Sequence, residues 1–119
     1  MSIRDIRLEL ARTKAFPDGS SERGYEFAAP LTGDGHIDGQ AFRGHHRPFP
    51  VRRFWAGEED RIGRLHHTRH DTWAFSYGLA DESDELLHHL EHHVFKVGEY
   101  VGVRELDGEV LPFRIVSVR

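Results

Sequence analysis

Apolar and polar positions alternate along much of this chain with a period of two, the mark of a strand with one buried face. Ile6, Leu8 and Leu10 alternate with Arg7 and Glu9. Ser2-Ile3-Arg4-Asp5 resembles a helical capping box, but Leu8 falls off the stripe that such a helix would bury, so a strand is expected. After the turn chemistry of Phe16-Pro17-Asp18-Gly19-Ser20, a second strand is read from Tyr25, Phe27, Ala29 and Leu31, closed by Pro30 and Thr32-Gly33-Asp34-Gly35. Val51 to Trp55 reads as a third strand, with Arg64 to Thr68 pairing back on it. Trp73, Phe75 and Tyr77 alternate with Ala74, Ser76 and Gly78 in the clearest strand of the sequence. Three aromatics of one parity are a core signature.

Two segments break the alternation. Asp38 to His46 is expected to hold a turn or two of helix, with Asp38 as N-cap and Phe42 facing inward. Asp81-Glu82-Ser83-Asp84-Glu85 precedes Leu86, Leu87, Leu90 and Val94, and histidines gather behind. Acids first and histidines last suit the helix dipole, so an amphipathic helix is expected over about 83–93. The chain then returns to strands. Val97 to Val103 and Val110 to Val118 flank Asp107-Gly108, a hairpin dipeptide of the type-I′ class. Phe113 and Ile115 have one parity and Val116 and Val118 the other, which predicts a bulge near Ile115. Seven or eight short strands with one or two short helices predict a mainly β fold, a small antiparallel barrel or strongly curled sheet.

Length and composition narrow the classes further. At 119 residues and 38% hydrophobic, the chain suffices for one core, and a single domain over 1–119 is expected. The lack of cysteine excludes disulfides, thiolate nucleophiles and thiolate metal sites. The start of the chain has no signal-peptide pattern and no segment approaches a membrane span, so a soluble, cytoplasmic protein is expected. No Walker loop, Gly-x-Gly-x-x-Gly or Gly-x-Ser-x-Gly elbow is present.

The net charge of −4 hides an uneven distribution. Residues 1–42 carry five basic and seven acidic side chains, 43–70 seven and three, and 71–119 four and ten. Either the molecule is bipolar or the basic middle lies against the acidic flanks, and the second arrangement is favoured. Within the basic stretch Arg47, Arg52, Arg53 and Arg64, with Phe54 and Trp55 among them, resemble the mixture that binds single-stranded nucleic acid. The acidic balance argues against that use, and alternation lets only one of Phe54 and Trp55 face outward.

Ten histidines, eight of them in adjacent pairs, are the compositional anomaly. Imidazole binds metals and changes charge near neutral pH. On a helix over 83–93, Glu85, His89 and His93 fall on one face at i, i+4 spacing, a carboxylate-and-two-histidine set that would suit zinc or iron. No His-Glu-x-x-His is present, and a solvated helix end without a cofactor is the plainer reading.

Four segments carry a resemblance. Gly24-Tyr25-Glu26-Phe27-Ala28-Ala29-Pro30-Leu31, Arg52-Arg53-Phe54-Trp55, Phe95-Lys96-Val97-Gly98-Glu99-Tyr100-Val101 and Phe113-Arg114-Ile115-Val116-Ser117-Val118 resemble a group of small bacterial proteins with no assigned function. That resemblance spans most of the chain and implies a bacterial source but no catalytic residue. The Phe-x-x-Gly-Glu-Tyr-Val stretch is also similar to the lead strand of many small barrels. The functional expectation is a small non-catalytic binding or interaction module for a protein or small-molecule ligand. A metal-dependent enzyme and a single-stranded nucleic-acid binder are the alternatives.

Overall fold

The computed structural model describes residues 2–68, 72–77, 88–90, 94–105 and 107–119. Eight antiparallel strands close into a barrel in chain order: β1 (Ser2–Leu10), β2 (Ser20–Leu31), β3 (Pro50–Trp55), β4 (Arg61–His67), β5 (Trp73–Ser76), β6 (His88–Leu90), β7 (Tyr100–Arg104) and β8 (Val110–Val118). Every strand pairs with its neighbour in sequence, and β8 returns to pair with β1. One short helix, α1 (Gly39–Gly44), lies between β2 and β3. No helix among the described residues is long and apolar enough to cross a membrane.

The period-two pattern sorts side chains as expected. Ile6, Leu8 and Leu10 of β1 are buried, as are Tyr25, Phe27, Ala29 and Leu31 of β2. Phe75 sits at the centre of the filling, with ring centroids 4.9 Å from Tyr25 and 5.0 Å from Phe27. Phe113 lies 5.2 Å from Tyr25 in edge contact. Of the core residues expected from parity, Trp73, Val101, Val103 and Phe113 are also buried, whereas Tyr77 is half-buried. Tyr77 follows the last residue of β5 and packs at the rim, where the Arg61 guanidinium lies 4.9 Å from its ring. Phe49 and Phe95, outside any strand, complete the core.

The bulge falls where the parity switch in β8 requires it. Leu8 lies opposite Ile115 but Arg7 lies opposite Ser117, so Val116 is the unpaired extra residue. Val118 is thereby returned to the inner face, opposite Ile6. The Asp107-Gly108 reversal differs in detail from a two-residue turn. Gly108 N–H donates to the Glu105 carbonyl (2.9 Å) and Glu105 N–H to that of Glu109 (2.8 Å), and Gly108 has a φ of 88°. The loop is one residue longer than a type-I′ turn and is closed by a glycine in the left-handed region.

The helix expected over 83–93 is overturned at its centre. Residues 88–90 form β6, with His89 opposite Ala74 on one side and Arg104 on the other, and Leu90 opposite Val103. Backbone pairing to both β5 and β7, together with burial of Leu90, outweighs a local helical pattern that a short segment supports only weakly. Residues 81–87 and 91–93 lie outside the described residues.

The helix at Asp38 is present. The Asp38 carboxylate accepts from Ala41 N–H (3.0 Å) as N-cap. Phe42 then packs at 4.9 Å from Trp73 and 5.5 Å from Phe49. Because β2 ends and β3 begins beside α1, the helix roofs the rim that also carries His67, Trp73 and Leu90. The opposite rim is formed by Trp55, Arg61, Ser76 and Arg104, with the β7–β8 hairpin.

Candidate functional site

The four candidate arginines of the basic stretch do not all share a surface. Arg47 is exposed in the segment between α1 and β3. Arg52 and Arg53 are consecutive on β3 and face opposite sides of the barrel wall. Arg64 lies opposite Pro50, on the parity of Arg52. Trp55 shares the inner parity with Arg53, and Phe54 lies on the outer wall, so alternation separates the two aromatics as expected.

Arg53 enters the barrel at the rim opposite α1. Its side chain is 11% exposed, and it donates to Glu105 Oε1 at 3.1 Å, where Glu105 is also 11% exposed. The Tyr25 hydroxyl donates to Glu105 Oε2 at 2.5 Å. Arg53 lies 4.2 Å from the Trp55 ring and reaches Glu58 at 3.4 Å. Burial pushes the Tyr25 phenol well above its usual pKa, and the adjacent Glu105 carboxylate adds to that shift. Burial likewise raises the Tyr77 phenol. Desolvation works against the charge on Arg53, but Tyr25 and Glu105 outweigh it and hold its pKa above the ordinary arginine value. The cluster is a buried carboxylate paired with one guanidinium and hydrogen-bonded by one neutral phenol.

The outer wall is charged in a different way. Register places Arg7 opposite Glu26 and Glu26 opposite Arg52, a cross-strand row of alternating sign over β1, β2 and β3. Arg7 donates to Glu26 (2.7 Å) and Glu9 (2.8 Å), and Arg52 to Glu26 and to Asp60 (2.8 Å). Both guanidinium groups also lie over the Phe54 ring, at 4.3 and 5.1 Å. Phe54 can lie flat because it covers Gly24. A Cβ at that position would fall 2.9 Å from the ring and 1.9 Å from the Leu8 carbonyl oxygen.

The basic middle of the chain is thus set against its acidic flanks. Glu26, from the first third, and Glu105, from the last, take the charges of Arg52 and Arg53. Neither acid stands out in the sequence. Glu26 is one polar position in an alternating strand, and Glu105 flanks a turn.

Beside the ionic row, register brings Ala28 between Asp5 and Pro50. These short residues leave a depression of about 530 Å³, rimmed by Asp5, Arg7, Arg52, Ile62 and Arg119. Ile62, on this rim, is 65% exposed. The site lies on paired strands, so its walls are fixed by the sheet rather than by loops.

Of the proposed metal-ligand set, Glu85 and His93 lie outside the described residues. The helical spacing that groups them with His89 does not hold at His89, which is in β6. Two described histidines pack against aromatic rings. His67 stacks on Trp73 at 4.3 Å with the rings 17° apart, and His45 lies 4.6 Å from Phe49. Among the described residues no three His, Asp or Glu side chains converge as a metal site would require. Comparison with known proteins found no matching family model, no similar curated protein and no similar solved structure.

Proposed function

We propose that this protein is a non-catalytic binding module whose barrel is a rigid scaffold and whose recognition surface is the outer wall of β1, β2 and β3. The observation that carries this reading is the depression over Ala28 and Pro50, with an exposed isoleucine and an ordered ionic row on its rim. Its volume of about 530 Å³ is that of a small-molecule site or of a few side chains of a partner segment. The polar groups of the rim have fixed directions because Glu26 holds both Arg7 and Arg52. The pairing of Arg52 and Arg53 with acids supports a discriminating site over a general phosphate-binding surface, which would present uncompensated cations.

Amide-resolved NMR titration with a library of small polar fragments and short peptides tests the reading. Shifts should gather on Asp5, Arg7, Ala28, Arg52 and Ile62, and Ala28→Trp, which fills the depression, should remove them with little change in Tm. Shifts gathered on another wall, none at all, or shifts that survive Ala28→Trp would reject it.

A further inference from the structure

The end of the barrel that carries α1 has an opening of about 280 Å³ between the start of β1, the ends of β2 and β8, and the turn that leads into β7. Register gathers inner-face positions there. Arg4 has the parity of Ile6 and lies opposite Ala29, one step along the face from Leu31, while Ile6 lies opposite Val118. Leu31 and Phe95 line the opening and belong to the buried core, and Val118 packs against that core, so the opening reaches apolar surface. Lys96 lines it from the turn before β7. Phe95 N–H donates to the Gly35 carbonyl (2.8 Å), and a Cβ on Gly35 would fall 3.3 Å from Lys96 Cγ, so the lysine stem lies across a bare glycine whose φ is 90°.

Among the described residues, the charged side chains that line this opening are Arg4 and Lys96, both exposed and neither with a carboxylate oxygen within 4.0 Å. Asp34, in the adjoining turn, accepts from the Thr32 hydroxyl and lies 4.0 Å from His36. Acids and bases are mixed along the larger depressions: Asp5 and Glu26 line the one over Ala28, and Glu9, Asp18 and Glu22 line another that crosses β8 and β1. Two cations without acids favour an anion. An inorganic anion would leave the apolar surface wet, and a neutral apolar molecule would leave both cations unused. We propose that this opening binds a small free carboxylic acid, its carboxylate held by Arg4 and Lys96 and an apolar body of a few carbons set against Leu31, Phe95 and Val118. The site is separate from the wall of β1 to β3, since Arg4 and Asp5 are consecutive on β1 and face opposite sides of the sheet.

Amide-resolved NMR titration of the full chain with hexanoate, hexanamide and inorganic phosphate tests this. Hexanoate should bind with a Kd on the order of 1 mM, as suits a ligand of so few atoms, and should shift Arg4, Thr32, Lys96 and Val97 but not Arg52. Hexanamide, without the charge, and phosphate, without the apolar body, should each bind about tenfold more weakly. Arg4→Gln and Lys96→Gln should each weaken hexanoate about threefold and the double variant about tenfold, at an unchanged Tm because both side chains are exposed. Hexanamide or phosphate binding as tightly as hexanoate, shifts centred elsewhere, or a double variant that binds like the parent would overturn the proposal. A short peptide ending in leucine that binds more tightly than hexanoate would overturn the free acid as the occupant.

Discussion

The two rims of the barrel are closed by different physics. At the α1 rim, Phe42 stacks on Phe49, His67 stacks on Trp73, and Phe42 meets Trp73 edge-on, contacts that depend on shape. The opposite rim closes on Arg53, Glu105 and Tyr25, three polar groups joined by an ion pair and a short hydrogen bond that leave Arg53 Nε buried without a partner among the described residues. A stacked cluster loses contact area in proportion to what is removed. A buried ionic cluster fails more sharply, since removing Glu105 leaves the Arg53 guanidinium with only the exposed Glu58 at 3.4 Å as a counterpart.

The largest effect should come from breaking that unit. Glu105→Leu leaves the Arg53 guanidinium buried and should cost about 3–5 kcal/mol in denaturant unfolding. Adding Arg53→Met should recover most of the loss, because an apolar pair of similar volume no longer carries an isolated charge. A double variant as unstable as the single one would mean that the rim depends on shape after all.

Alkaline unfolding separates the rims next. Tyr25 and Tyr77 both have raised phenol pKa values, through burial first and then, for Tyr25, the Glu105 carboxylate. In the folded state they keep protons that the unfolded chain gives up above about pH 10. The stability they confer is therefore complete below pH 10 and is lost as pH rises, by about 1.4 kcal/mol per pH unit for each phenol. Tyr25→Phe should reduce that slope by one phenol's share, and Phe42→Ala should leave it untouched. An equal slope in parent and Tyr25→Phe would place Tyr25 in contact with solvent.

At the α1 rim, Phe42→Ala removes a half-buried ring and should cost about 1–2 kcal/mol. Asp38→Ala removes the cap of α1 and should cost about 1 kcal/mol, the smallest of these effects. If either change costs as much as Glu105→Leu, the contrast between a divisible and an indivisible rim fails.

Much of the shape-dependent half was legible in the chain, because parity is a local property. Tyr25, Phe27, Phe75 and Phe113 announce an inner face by alternation alone, and the switch from Ile115 to Val116 locates the bulge. The ionic half was not. Arg53 and Glu105 lie 52 positions apart and meet only when β3 and the β7–β8 hairpin reach the same rim. The candidate depression was hidden for a related reason: Ala28 is inconspicuous until register sets it between Asp5 and Pro50. The helical reading failed at 88–90 because a brief strand there pairs with β5 and β7 and buries Leu90.

The pairing of β8 with β1 sets a requirement on how the molecule is made. Leu8 finds Ile115, and Asp5 and Arg119 exchange backbone hydrogen bonds of 3.0 and 2.9 Å. These partners are far apart in the sequence, so the seam waits for β8 and carries a large loop-closure cost. Until it forms, β1 and β8 each present an unpaired edge able to capture a strand from another molecule. A chain arrested before β8 is released with β1 and β7 exposed together, and aggregation rather than partial activity is its expected fate.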